Sequence, residues 1–442
     1  MAKGRFGGDR AVVVGGSMAG MVAARVLADH FREVILVERD QLEDGPQPHK
    51  GVPQGRHAHG LLGRGEETLH RFFPGLRQDL REHGAVVIDA SRDVRWLQGG
   101  SWKARFDSGI DLTFCSRPLL EWRVRTHLLR LKNVELRQGT GARGLLWNAE
   151  KTRVTGLQLE TGDLPAALVV DATGRGSRMP EWLEAAGLGS VAISTIHTNV
   201  SYATRIYRKP AQGPDWQFLL QLSSAPEKRL GWLAPLEGDR LICTLVGYHG
   251  EAAPLDGAGY LAYAKSLPVP DLYDAIAAAE PISEIVPFRS PVSLRRHYDR
   301  MERFPDGLAV TGDAACCFNP VYGQGMTAAA LGAEALDAAL SEQAARRPGD
   351  VAGLSRLFQK RLAAATQAPW MTVATEDFRY AETTGDRLPG TGFLHWYFGR
   401  LHKVMAADTE LCRTFIQVVQ MNRPATDLLA PRTFWKALRA GN

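Results

Sequence analysis

Cysteine is scarce in this 442-residue chain, and its five cysteines (Cys115, Cys243, Cys316, Cys317, Cys412) form no CxxC pair and no Cys/His ligand spacing. Neither a disulfide framework nor a zinc or other metal site is indicated, and a reducing cytoplasm is the expected location. Long apolar runs are missing too: no window offers roughly 18 uninterrupted apolar residues. The opening MAKGRFGGDRAVVVGG lacks the apolar segment and cleavage site of a signal peptide. A soluble protein without membrane insertion is expected. The formal charge of +5 is spread over 53 basic and 48 acidic residues, with no lysine-rich tail and no basic block interleaved with aromatics, which argues against a nucleic-acid partner. Internal repeats and low-complexity tracts are not evident. What is present is 45% hydrophobic content over a length that can bury a large core in two or three regions.

Residues 11–14 (AVVV) read as a buried strand, 18–30 as an amphipathic helix and 34–38 (VILVE) as a second buried strand, so the chain opens on a βαβ unit. A loop rich in Pro, Gly and His follows at 43–60. Residues 85–114 alternate like strands, 117–131 have helical spacing, and short runs at 134–138, 143–147 and 153–159 predict a small meander before the buried strand 167–171. Residues 190–300 contain many short alternating runs with a helical insertion at 257–279, the texture of a mostly antiparallel sheet. Residues 307–314 return to a buried parallel strand, 324–341 read as a helix, and the remainder is largely helical. Nucleotide-binding texture at both ends of a sheet-rich middle predicts an α/β protein with a discontinuous cofactor domain and an inserted substrate domain.

In VVVGGSMAGMVAA (12–24), Gly15, Ser17 and Gly20 fill the three positions of G-x-G-x-x-G between strand and helix. Serine is small enough for a pyrophosphate to approach the backbone, and its hydroxyl can donate to an oxygen. Met18 and Ala19 open the helix. Glu38, followed by Arg39, ends the second strand where a carboxylate accepts from an adenosine ribose. This unit does not by itself separate NAD from FAD. A second motif, VVDATGRGSR (169–178), ends a strand on Asp171 and turns through Gly174 before Ser177. A third, GDAACCFNPVYGQGMTAA (312–329), ends a strand on Gly312-Asp313, turns at Pro320, and uncovers backbone N–H groups at Gly323 and Gly325 before a helix, an arrangement suited to an anionic or electron-rich ligand.

Taken in order, the three motifs resemble the sequence marks of the FAD-dependent aromatic hydroxylase and epoxidase superfamily, the class A monooxygenases of p-hydroxybenzoate hydroxylase-like fold, from about residue 10 to about residue 340. The wording of QGRHAHGLLGRGEETLHRFFPGL (54–76) and FNPVYGQGMTAAAL is similar to that of bacterial polyether-type polyketide epoxidases. The resemblance implies a Rossmann-like FAD-binding domain over 1–189 and 301–345, with active-site lining segments around 60–110. It further implies a substrate-binding sheet domain over 190–300 and a helical C-terminal region over 346–442. Asp313 would hydrogen-bond the ribityl chain, with Gly312 allowing close approach. Pro320 would turn the chain past the flavin ring, and Gly323, Gln324, Gly325 and Met326 would present N–H groups to its pyrimidine edge. Asp171, Gly174 and Ser177 would lie near the pyrophosphate and the path of the nicotinamide donor, and Arg117 would reach FAD. Arg56 would line the active site and, with Gln324, act on the reaction. Phe218, Trp232 and Tyr248 are the candidate wall of an apolar substrate cavity. His57 and His59 read as acid–base groups, a covalent flavin anchor or simple loop polarity, and Cys316 and Cys317 as small buried hydrophobes rather than a redox pair.

The reaction so implied draws electrons from NAD(P)H or a separate flavin reductase, consumes O2, and passes one oxygen from a flavin hydroperoxide to an apolar alkene, aromatic or polyketide of secondary metabolism. Three alternatives stand beside it. A flavin halogenase would carry W-x-W-x-I-P, only echoed at LGWLAP (230–235), where Leu230 and Ala234 replace Trp and Ile. An FAD-dependent prenyl reductase shares the fold. A non-enzymatic escort protein on the same scaffold would have degraded the third motif, which here is intact.

Overall fold

The computed structural model describes residues 10–439; residues 1–9, which are most of the stretch read against a signal peptide, and residues 440–442 lie outside it. Arg10–Val14, Glu33–Glu38, Val134–Gln138, Leu168–Asp171 and Leu308–Val310 form one five-stranded parallel sheet. Its centre is covered on both faces, so AVVV and VILVE read as continuous apolar runs and contribute fully buried side chains from Ala11 to Val13 and from Val34 to Val37. The helix Met18–Ala28 packs on one face and turns its buried side, including Met21, Val22 and Leu27, to the sheet.

The strand Leu308–Val310 pairs with Leu168–Asp171 although residues 172–307, a domain-sized insertion, lie between them. That pairing places the C-terminal ends of three parallel strands side by side: Val14, Asp171 and Val310. The chain leaves each of these ends through a glycine-containing turn, and the turns converge on one cavity.

One expectation changes at residues 134–138. This segment does not belong to the meander, which consists of Ala142–Trp147, Val154–Leu159 and Gly162–Pro165. It is reached through the helical crossover Arg117–Leu129 and therefore joins the parallel sheet, as an edge strand beside Glu33–Glu38. An edge position explains why VELRQ is half polar.

A second sheet of nine strands is built mainly from Ile193–Arg208, Arg229–Leu236, Arg240–Gly247 and Val286–Arg296, all antiparallel. It also recruits Val94–Gln98, parallel to Phe218–Gln221, and Cys316–Cys317, which hydrogen-bonds to Val286–Arg296. The last pairing ties the third motif to the second sheet. Helices Gly257–Lys265 and Asp271–Ala277 cover one face of this sheet. The C-terminal helices Gln367–Asp377 and Thr391–Val404 close its flank. Among the described residues no helix is long and apolar enough to cross a membrane.

Candidate active site

Gly15 leaves the first strand with φ +105, and a Cβ there would stand 2.5 Å from the carbonyl oxygen of Ala172. Only glycine fits between the two strand ends. Gly20 stands one turn into the helix, where a Cβ would overlap Gly15 O, so the absence of side chains at both positions brings the helix N-terminus close against the strand end. The N-cap Ser17 makes no side-chain capping bond. Its hydroxyl instead donates to Glu121 Oε1 (2.5 Å) and accepts from Arg117 Nη2 (3.1 Å). The first-turn amides of the helix at Met18 and Ala19 are thereby left open to the cavity, a site for anionic oxygens.

Glu38 is 5% exposed and accepts Gly16 N–H (2.6 Å) and Asp40 N–H (2.9 Å), which fixes its carboxylate at the rim of the same cavity. Arg117 is paired with Glu121, Nη2 to Oε1 at 2.7 Å and Nε to Oε1 at 3.0 Å. Burial works against ionisation of Glu121, yet Arg117, with His49 and Ser17, holds its carboxyl at about 2. Burial likewise opposes the charge on His49, but Glu121 and Asp40 outweigh it and raise its pKa.

The third motif closes the opposite wall. Gly312 has φ +61, and a Cβ there would meet Ala19 Cβ at 2.6 Å, so the end of Leu308–Val310 sits directly against the first helix. Asp313 follows, lining the cavity. Burial raises its pKa, with Arg117, Arg175 and the Cys317 thiol pulling the other way. No backbone amide or hydroxyl of the described residues donates to its carboxylate. The helix Gly325–Arg346 begins without a side-chain cap, and a Cβ on Gly325 would project into open space. Gly323, Gly325 and Met326 line the cavity. Gln324 is buried beside them with Oε1 unpartnered.

The Asp171 carboxylate organises the turn of the second motif, accepting Thr173 N (2.9 Å), Thr173 Oγ1 (2.6 Å) and Ser177 Oγ (2.5 Å). Gly174 lies on the cavity wall at φ +81. Arg175 stands beside it and is braced by Ser290 Oγ and Val292 O of the second sheet.

Together these segments enclose a cavity of about 620 Å³, within the roughly 300–1,000 Å³ usual for a ligand site. Of the residues singled out in the sequence, Gly15, Ser17, Met18, Ala19, Glu38, Arg39, Arg117, Asp171, Gly174, Gly312, Asp313, Pro320, Gly323, Gly325 and Met326 meet on its wall. Gly20 acts behind the wall through packing, Ser177 through Asp171, and Gln324 lies beside it. Arg56 is not on the cavity wall: it ends the short helix Pro53–Arg56 exposed, while Pro53, Gln54 and His57 line the cavity.

Phe218, Trp232 and Tyr248 stand outside the wall as well. Phe218 packs on Phe114 (4.9 Å between centroids), and Trp232 backs Tyr202 (5.9 Å). Tyr248 stacks on Tyr380 (4.7 Å) and receives Asn319 Nδ2 at 3.0 Å. The aromatic lining of the cavity includes instead Tyr202 and Phe288, which pack together, and Phe318, which belongs to a different apolar cluster, with His57 and His59 also on the wall. Sequence reasoning missed the first three, together with Arg175, Arg289 and His49. The arginine-rich GRGSR turn was the one signal that pointed to any of them. All five cysteines are free thiols, and burial raises the thiol pKa of both Cys316 and Cys317, so neither is a ready thiolate.

Residues 11–187 match the FAD dependent oxidoreductase family. Protein Rv3254 of Mycobacterium tuberculosis is 33% identical over 412 residues, spanning 87% of this chain and 84% of that protein. The chain belongs to the FAD-dependent oxidoreductase family.

Among solved structures, the flavin-dependent brominase Bmp2 matches this oxidoreductase with a TM-score of 0.67 at 13% identity, covering 97% of each chain. The probable FAD-dependent monooxygenase pqsL from Pseudomonas aeruginosa matches with a TM-score of 0.61 at 18% identity, covering 93% of this chain and 98% of that one. At such identities the likeness is one of fold: a Rossmann-like FAD-binding fold carrying a second sheet. The residues present fit FAD on their own chemistry. Two uncapped helix N-termini suit its phosphates and the electron-rich edge of its ring, Glu38 suits ribose hydroxyls, and the Asp313 carboxylate, met only by the weak thiol donor of Cys317, suits the hydroxyls of the ribityl chain.

Proposed function

We propose that this FAD-dependent oxidoreductase is a monooxygenase that places one atom of O2 on an apolar small molecule by epoxidation or hydroxylation. Electrons would come from NAD(P)H directly or through a separate flavin reductase. The reading rests on one observation: a single cavity carries two uncapped helix N-termini and an aromatic end formed by Tyr202 and Phe288 beside His57. Bound FAD supplies the activation of O2 and its transfer to the substrate.

The chain's own residues do the rest. Met18 and Ala19 amides hold phosphate charge, Glu38 orients a ribose, Asp313 a polyol, and the Gly323–Met326 amides favour negative charge on the ring edge. Tyr202, Phe288 and Phe318 desolvate the substrate and exclude water. The wording of residues 54–76 supports an alkene-bearing polyketide as the substrate class and a role in secondary metabolism. A cytoplasmic location accords with the free cysteines.

The purified protein is expected to be yellow, to oxidise NADPH alone or with a reductase, and to give a product heavier by one oxygen. A colourless protein that fails to take up FAD overturns the reading. A product that gains bromine or chlorine instead moves it to halogenation, and saturation of an alkene without O2 moves it to reduction.

Asp313→Ala is expected to weaken FAD binding by about 1.5–3 kcal/mol, roughly 10- to 150-fold, because a charge-assisted hydrogen bond is lost. The apoprotein should not lose stability, since Asp313 is a desolvated carboxylate without a strong donor. Equilibrium dialysis and apoprotein melting measure the two separately, and unchanged affinity removes Asp313 from the cofactor site.

A further inference from the structure

His57 is 5% exposed and lies on the cavity wall at its aromatic end, its ring 5.3 Å from that of Phe288 and 6.2 Å from that of Tyr202. Tyr202 and Phe288 are register partners on neighbouring strands, so they share one face of the second sheet, and Thr204, two residues beyond Tyr202, lies on that same face. Thr204 is in turn the register partner of Thr244. The hydroxyls of this pair are 2.8 Å apart, and Thr204 Oγ1 is 2.7 Å from His57 Nδ1. A relay Thr244–Thr204–His57 therefore runs out of the sheet to the cavity. At its end His57 Nε2 has no partner, and neither has the Tyr202 hydroxyl.

The direction of the relay follows from where its protons can go. If His57 Nδ1–H donated to Thr204, the Thr204 hydroxyl would either donate to Thr244 or accept from it as well. The proton of Thr244 or of Thr204 would then be stranded inside the sheet, where both residues are buried and no other acceptor among the described residues bonds either hydroxyl. In the reverse direction Thr244 donates to Thr204 and Thr204 donates to Nδ1. The one unpaired proton is then on Nε2, a buried atom of a ring that lines the cavity, rather than inside the sheet. Burial, with Arg56 beside it, pushes the His57 pKa down to about 4, so the ring carries a single proton at neutral pH. Burial holds the Tyr202 hydroxyl protonated. Two neutral donors without protein acceptors thus sit among Phe288, Trp232 and Val246.

We propose that His57 Nε2–H and the Tyr202 hydroxyl form a donor pair that grips an acceptor oxygen of the substrate, making the site selective for apolar ring systems that carry a carbonyl oxygen over pure hydrocarbons. This rests on the reading of the aromatic end as the substrate site of a flavoenzyme. The Thr204–Thr244 pair are positioning residues, because they fix which nitrogen of His57 bears the proton.

The test compares two isosteric probes, 2-acetylnaphthalene (C=O) and 2-isopropenylnaphthalene (C=CH2), titrated calorimetrically into the oxidised holoenzyme, with flavin content measured independently. The ratio of the two affinities cancels differences in hydrophobicity when it is compared between variants. The preference for the carbonyl probe is expected to fall about tenfold in His57→Phe and in Tyr202→Phe. It should fall several-fold in Thr204→Val, which frees the tautomer, and be partly kept in His57→Gln, whose amide retains an N–H donor. Flavin content is expected to stay unchanged in all four. A ratio that does not move in either His57→Phe or Tyr202→Phe, with flavin retained, overturns the donor pair alone. Failure of both probes to bind the flavin-loaded protein overturns it as well. A protein that holds no flavin overturns the proposed function instead.

Discussion

Gly15→Ala is expected to give a colourless protein that unfolds several degrees below the parent. The added Cβ has two problems that cannot be relieved together. Gly15 has φ +105, outside the range of ordinary L-residues, which costs about 1–3 kcal/mol. The Cβ would also stand 2.5 Å from Ala172 O and 2.8 Å from Ala172 C, both backbone atoms of the neighbouring strand end, so no side chain can rotate away. Overpacking of this kind costs about 1–3 kcal/mol more. Relief requires the strand ends at Val14 and Asp171 to separate, and that shift carries the Met18 and Ala19 amides away from the Asp313 wall. The stability loss alone is survivable for a protein this size, so the sharper readout is cofactor retention. Flavin absorbance after gel filtration should fall below a tenth of the parent's while circular dichroism stays near native. A yellow, fully loaded Gly15→Ala protein would mean that the turn is not the cofactor cradle.

This same turn shows why part of the site was legible in the sequence. Gly15, Gly20, Gly312 and Gly323 are demanded by local backbone geometry, and local demands leave a sequence mark. The parallel strands were legible because both of their faces are buried and AVVV, LVVD and LAV can hardly be anything else. The substrate end was not, for a related reason. Arg229–Leu236 and Arg240–Gly247 are buried at every residue after the first, so hydrophobic alternation, the usual guide to which face is which, is erased. Trp232 and Tyr202 lie on the same face of the sheet, yet only Tyr202 reaches the cavity, because Trp232 stands two strands over, behind it. Such a difference depends on strand order, which pairing across long separations decides. Arg56 lies off the cavity wall, one residue before His57, which lies on it. The short helix Pro53–Arg56 and the residue after it put Pro53, Gln54 and His57 on the cavity wall, and a loop sequence carries no periodicity from which to read that.

The stability of this protein is expected to decline as pH rises from about 4 to about 7, through a carboxyl that the cofactor reading did not require. Asp377 ends the helix Gln367–Asp377 and is fully buried. Its Oδ1 accepts Asn319 Nδ2 (2.8 Å), Tyr322 Oη (2.8 Å) and, more distantly, Tyr248 Oη (3.5 Å), while Oδ2 has no partner. Burial raises its pKa to about 7, against the hydrogen bonds from Tyr322 and Asn319, with Glu376 adding to the rise. The folded protein therefore holds this proton where the unfolded chain, with an aspartate near 3.8, has released it. Because the native state binds more protons in that interval, the contribution is present below about pH 4 and is lost by about pH 7. It amounts to at most about 4 kcal/mol, since each pKa unit is worth about 1.4. Carboxyls held low, such as Glu121 at about 2, work in the opposite sense but only in more acid solution.

Asp377→Asn separates the two. Asparagine Oδ1 can still accept from Asn319 and Tyr322, and its uncharged amide does not titrate, so the variant should match or trail the parent at pH 4 and exceed it by about 1–3 kcal/mol at pH 8. Urea unfolding at the two pH values measures the difference, and a pH-independent gap between variant and parent would show that Asp377 is ionised throughout. Since Asn319 and Tyr322 flank Pro320 on the turn that meets the cavity, the buried proton also bears on how firmly that turn is held. Flavin affinity in the parent should weaken above pH 7 and do so less in Asp377→Asn.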